Sequence, residues 1–75
     1  MIKITVRASW AARYMGVPAL VLNIENGAAA IEAVKRAGIP HDEAGILAIR
    51  DVIIPPSALL ADGDELEVFP QIIGG

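Results

Sequence analysis

Apolar and polar residues alternate strictly at the start of the chain. Ile2, Ile4 and Val6 point one way, and Lys3, Thr5 and Arg7 point the other. A period of two marks a half-buried strand. Ala19–Ile24 repeats the pattern, with Leu20, Leu22 and Ile24 as its buried set. The two strands are predicted to pair antiparallel through residues 8–18, a loop with room for one helical turn. Within it Trp10 and Tyr14 sit at helical spacing on one side, and Gly16 and Pro18 close the segment.

After Glu25-Asn26-Gly27 the period changes. Residues 28–37 are rich in alanine and put Ala30, Ile31, Val34 and Ala37 on one stripe, which predicts a helix. Asn26 is its expected N-cap, Glu32 and Arg36 are spaced for an ion pair, and Gly38 with Pro40 ends it. Residues 41–45 read as a polar loop and 46–50 as a third strand with Leu47 and Ile49 inward. Asp51 marks a turn into a short strand, Val52–Ile54, halted by Pro55-Pro56. Residues 57–60 are expected to form a helical turn, and Ala61-Asp62-Gly63-Asp64 a tight turn. Residues 65–69 form the last strand, with Leu66 and Val68 inward, and Pro70, lacking a donor, is expected to end its pairing.

One helix on one mixed sheet makes a two-layer α+β domain. A single amphipathic helix covers only one sheet face. The open face is expected to carry Val21, Ile46, Ala48 and Phe69 beside Lys3, Arg7, Arg50 and Glu67. That is more apolar surface than a small monomer usually leaves bare, so the face reads as partner-binding.

Composition narrows the function classes. The 75 residues allow one small domain, and their 55% hydrophobic content compensates for the limited burial such a chain achieves. Mean hydropathy is +0.55. There are no cysteines, hence no disulfide framework and no thiolate metal site. A net charge of −3 disfavours nucleic acid as a partner, since phosphate binding needs clustered Lys and Arg. The charged, alternating start is unlike a signal peptide, and the uncharged run 14–24 is too short to span a membrane. The cytoplasm is the expected compartment.

Individual polar residues suggest no catalytic constellation. His41 is the only histidine and reads as a solvated loop residue. Asp62, Asp64, Glu65 and Glu67 are explained by turn chemistry and a wet strand face rather than a cation site. Ser57 has no base near it in sequence. Trp10 and Tyr14 are equally compatible with a partner contact and with a cover for the sheet edge. Gly74-Gly75 precedes no helix and so makes no phosphate loop.

The end of the sequence is informative. A domain over 1–70 is expected to give way to a flexible arm, 71–75, made of Gln71, Ile72, Ile73, Gly74 and Gly75. Fully extended, five residues reach roughly 17 Å. The two glycines make the arm thin enough to thread a narrow tunnel in a partner.

Three stretches carry a resemblance to a known family. Ile49-Arg50-Asp51-Val52-Ile53-Ile54-Pro55 resembles a strand–turn–strand ahead of proline, and Leu60 to Val68 resembles an Asp-Gly-Asp turn into the last strand. Phe69-Pro70-Gln71-Ile72-Ile73-Gly74-Gly75 resembles an aromatic-Pro arm ending in Gly-Gly. Together they resemble the MoaD/ThiS sulfur carriers, with the β-grasp, or ubiquitin-like, fold. The Phe69-Pro70 pair and the long 8–18 loop lean toward the MoaD side. Arg50-Asp51 departs from the family's frequent Asn-Gly turn.

The resemblance implies a carrier rather than an enzyme, with no cofactor of its own. In such proteins an E1-like adenylyltransferase uses ATP to activate the terminal glycine, here Gly75 behind Gly74. Sulfur then replaces the nucleotide, and the thiocarboxylate serves a MoaE-like or thiazole synthase-like partner in molybdopterin or thiamine biosynthesis. The implied contacts are Phe69, Pro70, Ile72, Ile73, Ile46, Ala48, Val21 and Arg50. A ubiquitin-like modifier conjugated through Gly75 and a plain interaction module remain the alternatives.

Overall fold

The computed structural model describes residues 1–72. Ile73, Gly74 and Gly75, on which the expected reacting end rests, lie outside the described residues. The element order is β1 (Ile2–Arg7), a 3-10 turn (Ser9–Ala11), α1 (Ala12–Met15), β2 (Ala19–Ile24), α2 (Ala30–Arg36), β3 (Ala44–Ile49), β4 (Val52–Ile54) and β5 (Glu65–Pro70).

The strands form one mixed sheet in the order β2-β1-β5-β3-β4. β1 pairs antiparallel with β2 and parallel with β5, and β3 pairs antiparallel with both β5 and β4. The last strand therefore lies at the centre of the sheet. α2 packs on one face. Ile4, Val6, Ile24, Leu66 and Val68 from the sheet meet Ala30, Ala33 and Val34 from the helix, all buried. This is the expected α+β architecture.

α2 is shorter than alanine content predicts, because tertiary pairing takes its first turn. Ala29 bridges Leu59, and the Leu60 N–H donates to the Ala28 carbonyl at 2.9 Å. Asn26 is not the cap: the N-cap is Ala29, which makes no side-chain cap bond. The orphan donors of Ala30 and Ile31 go instead to the carbonyls of Ala58 (2.8 Å) and Pro56 (3.0 Å). Consequently residues 57–60 do not form the expected helical turn: Ser57 belongs to a turn closed by the Ala58 N–H on Pro55 O at 3.0 Å, and residues 58–60 pair with the helix start. Arg36 pairs with Glu25 at 3.0 Å, not with Glu32. The C-terminus behaves as expected: Gly38 adopts φ +92°, with Gly38 N–H to Lys35 O and Ile39 N–H to Val34 O, a Schellman closure.

Two strand boundaries also move. β3 begins at Ala44, so the polar loop is confined to 41–43. Pairing in β5 does not end before Pro70, which lies opposite Ala44. Proline lacks a donor, but its carbonyl remains available. The next N–H, of Gln71, donates to the Glu43 carbonyl at 2.8 Å and prolongs the antiparallel track by one step.

Candidate functional site

The arm leaves the sheet from its central strand, and several elements hold the point of departure. β1 ends at Arg7, opposite Glu67, so the carbonyl of Val68 has no β1 partner. The Trp10 indole N–H fills the gap, donating to Val68 O at 2.7 Å. On the other side the register of β3 shifts between Ala44 and Leu47, and Gly45 lies under the Phe69-Pro70 backbone. Ile72 is exposed and borders an apolar groove of about 450 Å³ with Gly45, Ile46, Phe69, Pro70 and Gln71.

Glu43, whose carbonyl accepts the Gln71 N–H, belongs to a polar cluster. The Tyr14 hydroxyl donates to Glu43 Oε2 at 2.6 Å, and an Arg13 guanidinium nitrogen donates to the Tyr14 hydroxyl oxygen at 3.0 Å. Arg13 also lies 3.5 Å from Glu43 Oε1 and 4.9 Å from the centre of the Tyr14 ring. The hydrogen bond to the Glu43 carboxylate raises the Tyr14 pKa above its ordinary value. Trp10 and Tyr14 both pack on the core. The 8–18 segment thus covers the stretch of β5 that β1 leaves unpaired.

The open face divides along its length. Ile46 (53% exposed), Ile53 (69%) and Phe69 (47%) surround Ala48, which is 4% exposed, in a hollow of about 290 Å³ bounded by Asp51 and Glu67. Ala48 pairs with Glu67 on one side and Ile53 on the other, so its small side chain is the floor. Val21 is exposed too, but on edge strand β2, opposite Thr5. The structure therefore brings Ile46, Ala48 and Phe69 together and leaves Val21 apart. Arg50 lies at the far end, lining a polar cleft with Arg7, Asp51, Gly63, Glu65 and Glu67. Arg7 is paired there with Glu65 at 2.9 Å.

Among the described residues, no group of three or more His, Cys, Asp or Glu could hold a metal ion. No helix among them is long and apolar enough to cross a membrane. Asp62 and Asp64 serve the turn: Asp62 Oδ1 accepts the Lys3 N–H and Asp64 Oδ2 accepts the Ala61 N–H, both at 2.8 Å. His41 is exposed.

No family model matches the sequence, and no curated protein matches it significantly. Solved structures do. Small archaeal modifier protein 1 of H. volcanii superposes with a TM-score of 0.77 at 15% identity, covering 96% of this chain and 100% of that one. A second structure of the Haloferax volcanii protein gives 0.71 at 18%, covering 97% and 99%. A Pyrococcus furiosus protein, provisionally described as molybdopterin converting factor subunit 1, gives 0.72 at 19%, covering 96% and 100%. The fold is the β-grasp that these structures share.

Within this β-grasp, the sequence reading missed Ile53, Gly45 and Glu43. Ile53 was accessible to it: alternation in β4 and a two-residue hairpin place it beside Ala48. Gly45 and Glu43 carried no such signal. Their roles come from long-range approaches to Pro70 and Gln71, which no local pattern encodes.

Proposed function

We propose that the chain is a sulfur carrier, a protein cosubstrate rather than an enzyme, whose reacting group is the carboxylate of Gly75. The observation that supports this most is the placement of the arm's first two residues, Gln71 and Ile72. They leave the central strand directly beside the exposed apolar hollow of Ile46, Ala48, Ile53 and Phe69. A partner that docks on the hollow receives the arm at its own surface. The likeness in fold to a molybdopterin converting factor subunit supports the same reading.

The chemistry follows from the poor leaving ability of a carboxylate oxygen. A Gly75 carboxylate oxygen attacks the α-phosphorus of ATP in the E1-like partner, and pyrophosphate leaves. Sulfide then attacks the acyl carbon and AMP leaves, giving a thiocarboxylate with no change of oxidation state. That sulfur is passed to a MoaE-like or thiazole synthase-like acceptor. The carrier contributes a docking face and a thin thread; ATP belongs to the partner, and the setting is cytoplasmic. Gly74 lets the thread approach the nucleotide closely.

The test is carrier-dependent exchange of labelled pyrophosphate into ATP by the activating partner. The full chain should support exchange, and a chain lacking Gly74-Gly75 should not. Exchange that persists without the two glycines would reject Gly75 as the reacting end. The likeness to a small archaeal modifier protein favours one second reading, conjugation of Gly75 to lysine side chains. Both readings share the adenylate and separate after it.

A further inference from the structure

The Tyr14–Glu43 pair makes a contact that packing alone does not require. Glu43 is held three ways. Its N–H donates to Pro40 O at 3.0 Å, its carboxylate accepts from Tyr14 at 2.6 Å and from Arg13 at 3.5 Å, and its carbonyl accepts from Gln71 N–H at 2.8 Å. Gln71 is the first residue after β5. Trp10, from the same 8–18 segment, holds Val68 three residues upstream. The insertion between β1 and β2 thus grips the arm's root from one side while β3 grips it from the other.

We propose that Tyr14 and Glu43 are positioning residues for the arm, fixing its exit direction toward the Ile46–Phe69 hollow before a partner arrives. This rests on the sulfur-carrier reading for its consequence, though not for its geometry. Each residue immobilised in advance need not be immobilised on binding. Loss of the grip should therefore raise the partner's requirement for carrier more than it slows chemistry on the bound arm.

The experiment uses the full chain and three variants: Tyr14→Phe, Glu43→Ala and Glu43→Gln. Tyr14→Phe keeps the ring and removes only the donor. Glu43→Gln keeps an oxygen that can accept the phenolic proton, and is the rescue control. Two quantities are read: hydrogen exchange at the Gln71 amide, and KM against kcat for carrier in adenylate formation. We expect Tyr14→Phe and Glu43→Ala to speed Gln71 exchange about tenfold and raise KM about threefold to tenfold, with kcat within twofold. Glu43→Gln should lie nearer the parent chain on both. Unchanged Gln71 exchange in Tyr14→Phe and Glu43→Ala overturns the grip. Faster exchange with unchanged KM overturns the positioning role and leaves a purely structural contact. If the parent chain is never adenylated, the sulfur-carrier reading fails, while the exchange measurement still decides the grip.

Discussion

A β-carbon placed on Gly45 would lie 2.7 Å from the Pro70 carbonyl oxygen and 3.0 Å from its carbon. Both neighbours are backbone, so relief requires moving β3 or the end of β5. Gly45→Ala is expected to cost about 1–3 kcal/mol, the range for overpacking, and to lower the melting temperature by several degrees. An unchanged melting temperature would mean that the register shift between Ala44 and Leu47 absorbs a methyl group freely. The neighbouring Tyr14 can be followed directly, because it is the only tyrosine in the chain. Its pKa is raised, chiefly by the hydrogen bond to Glu43 and then by burial. A raised folded pKa means that the tie's stabilisation is complete below the unfolded value, about 10 for tyrosine, and is lost as pH rises through the folded value. Phenolate absorbance should titrate above that ordinary value in the parent chain and lower in Glu43→Ala. Coincident titration curves would remove the Glu43 bond as the cause. The exposed pair Arg7–Glu65 should contribute little by comparison.

Element boundaries followed local pattern wherever local forces dominate. β1, β2 and β4 begin and end where expected, and Gly38 closes α2 as its position demands. Prediction failed where a distant segment supplies the partner. Ala28 and Ala29 are strong helix formers, yet they pair with residues 58–60, and backbone carbonyls do the capping expected of Asn26. The β3–β4 connection is instructive in the other direction. Arg50 and Asp51 both have positive φ, +53° and +64°, and Ile49 pairs directly with Val52, so the hairpin keeps a type I′ geometry without the residues that favour it. Left-handed backbone costs a non-glycine residue roughly 1–2 kcal/mol, somewhat less for Asp. Replacing Arg50-Asp51 with Asn-Gly should therefore stabilise the fold by about 1 kcal/mol, seen as a higher urea midpoint with an unchanged slope. A lower midpoint would show that the native side chains contribute contacts outweighing the strain.

On the scale of the whole molecule, the proposed function makes one surface of the open face and the arm that follows β5. Its central part was legible in the sequence, because alternation in β3 and β5 places Ile46, Ala48 and Phe69 on one side. Val21 shares that side, but strand order puts β1 between its strand and β5, the near wall of the hollow, and order is not written in any single strand. Phe69→Ala is expected to weaken binding to the activating enzyme by about 1–3 kcal/mol while leaving the fold intact, as loss of a central anchor does. Unchanged affinity in a titration would remove Phe69 from the interface. Gly74→Val should dock normally yet form no adenylate, because a β-branched residue is bulky and stiff where the thread must pass. Normal adenylate formation by that variant would refute the narrow-passage argument. Sulfur transfer by this chain turns on the fate of Gly75. It is read most directly in the intact mass of the full chain after incubation with its activating enzyme, ATP and sulfide. A sulfur carrier should show replacement of one oxygen by sulfur at the terminal carboxylate. With a demonstrably active enzyme, an unchanged mass together with Gly75 linked to lysine side chains would contradict it.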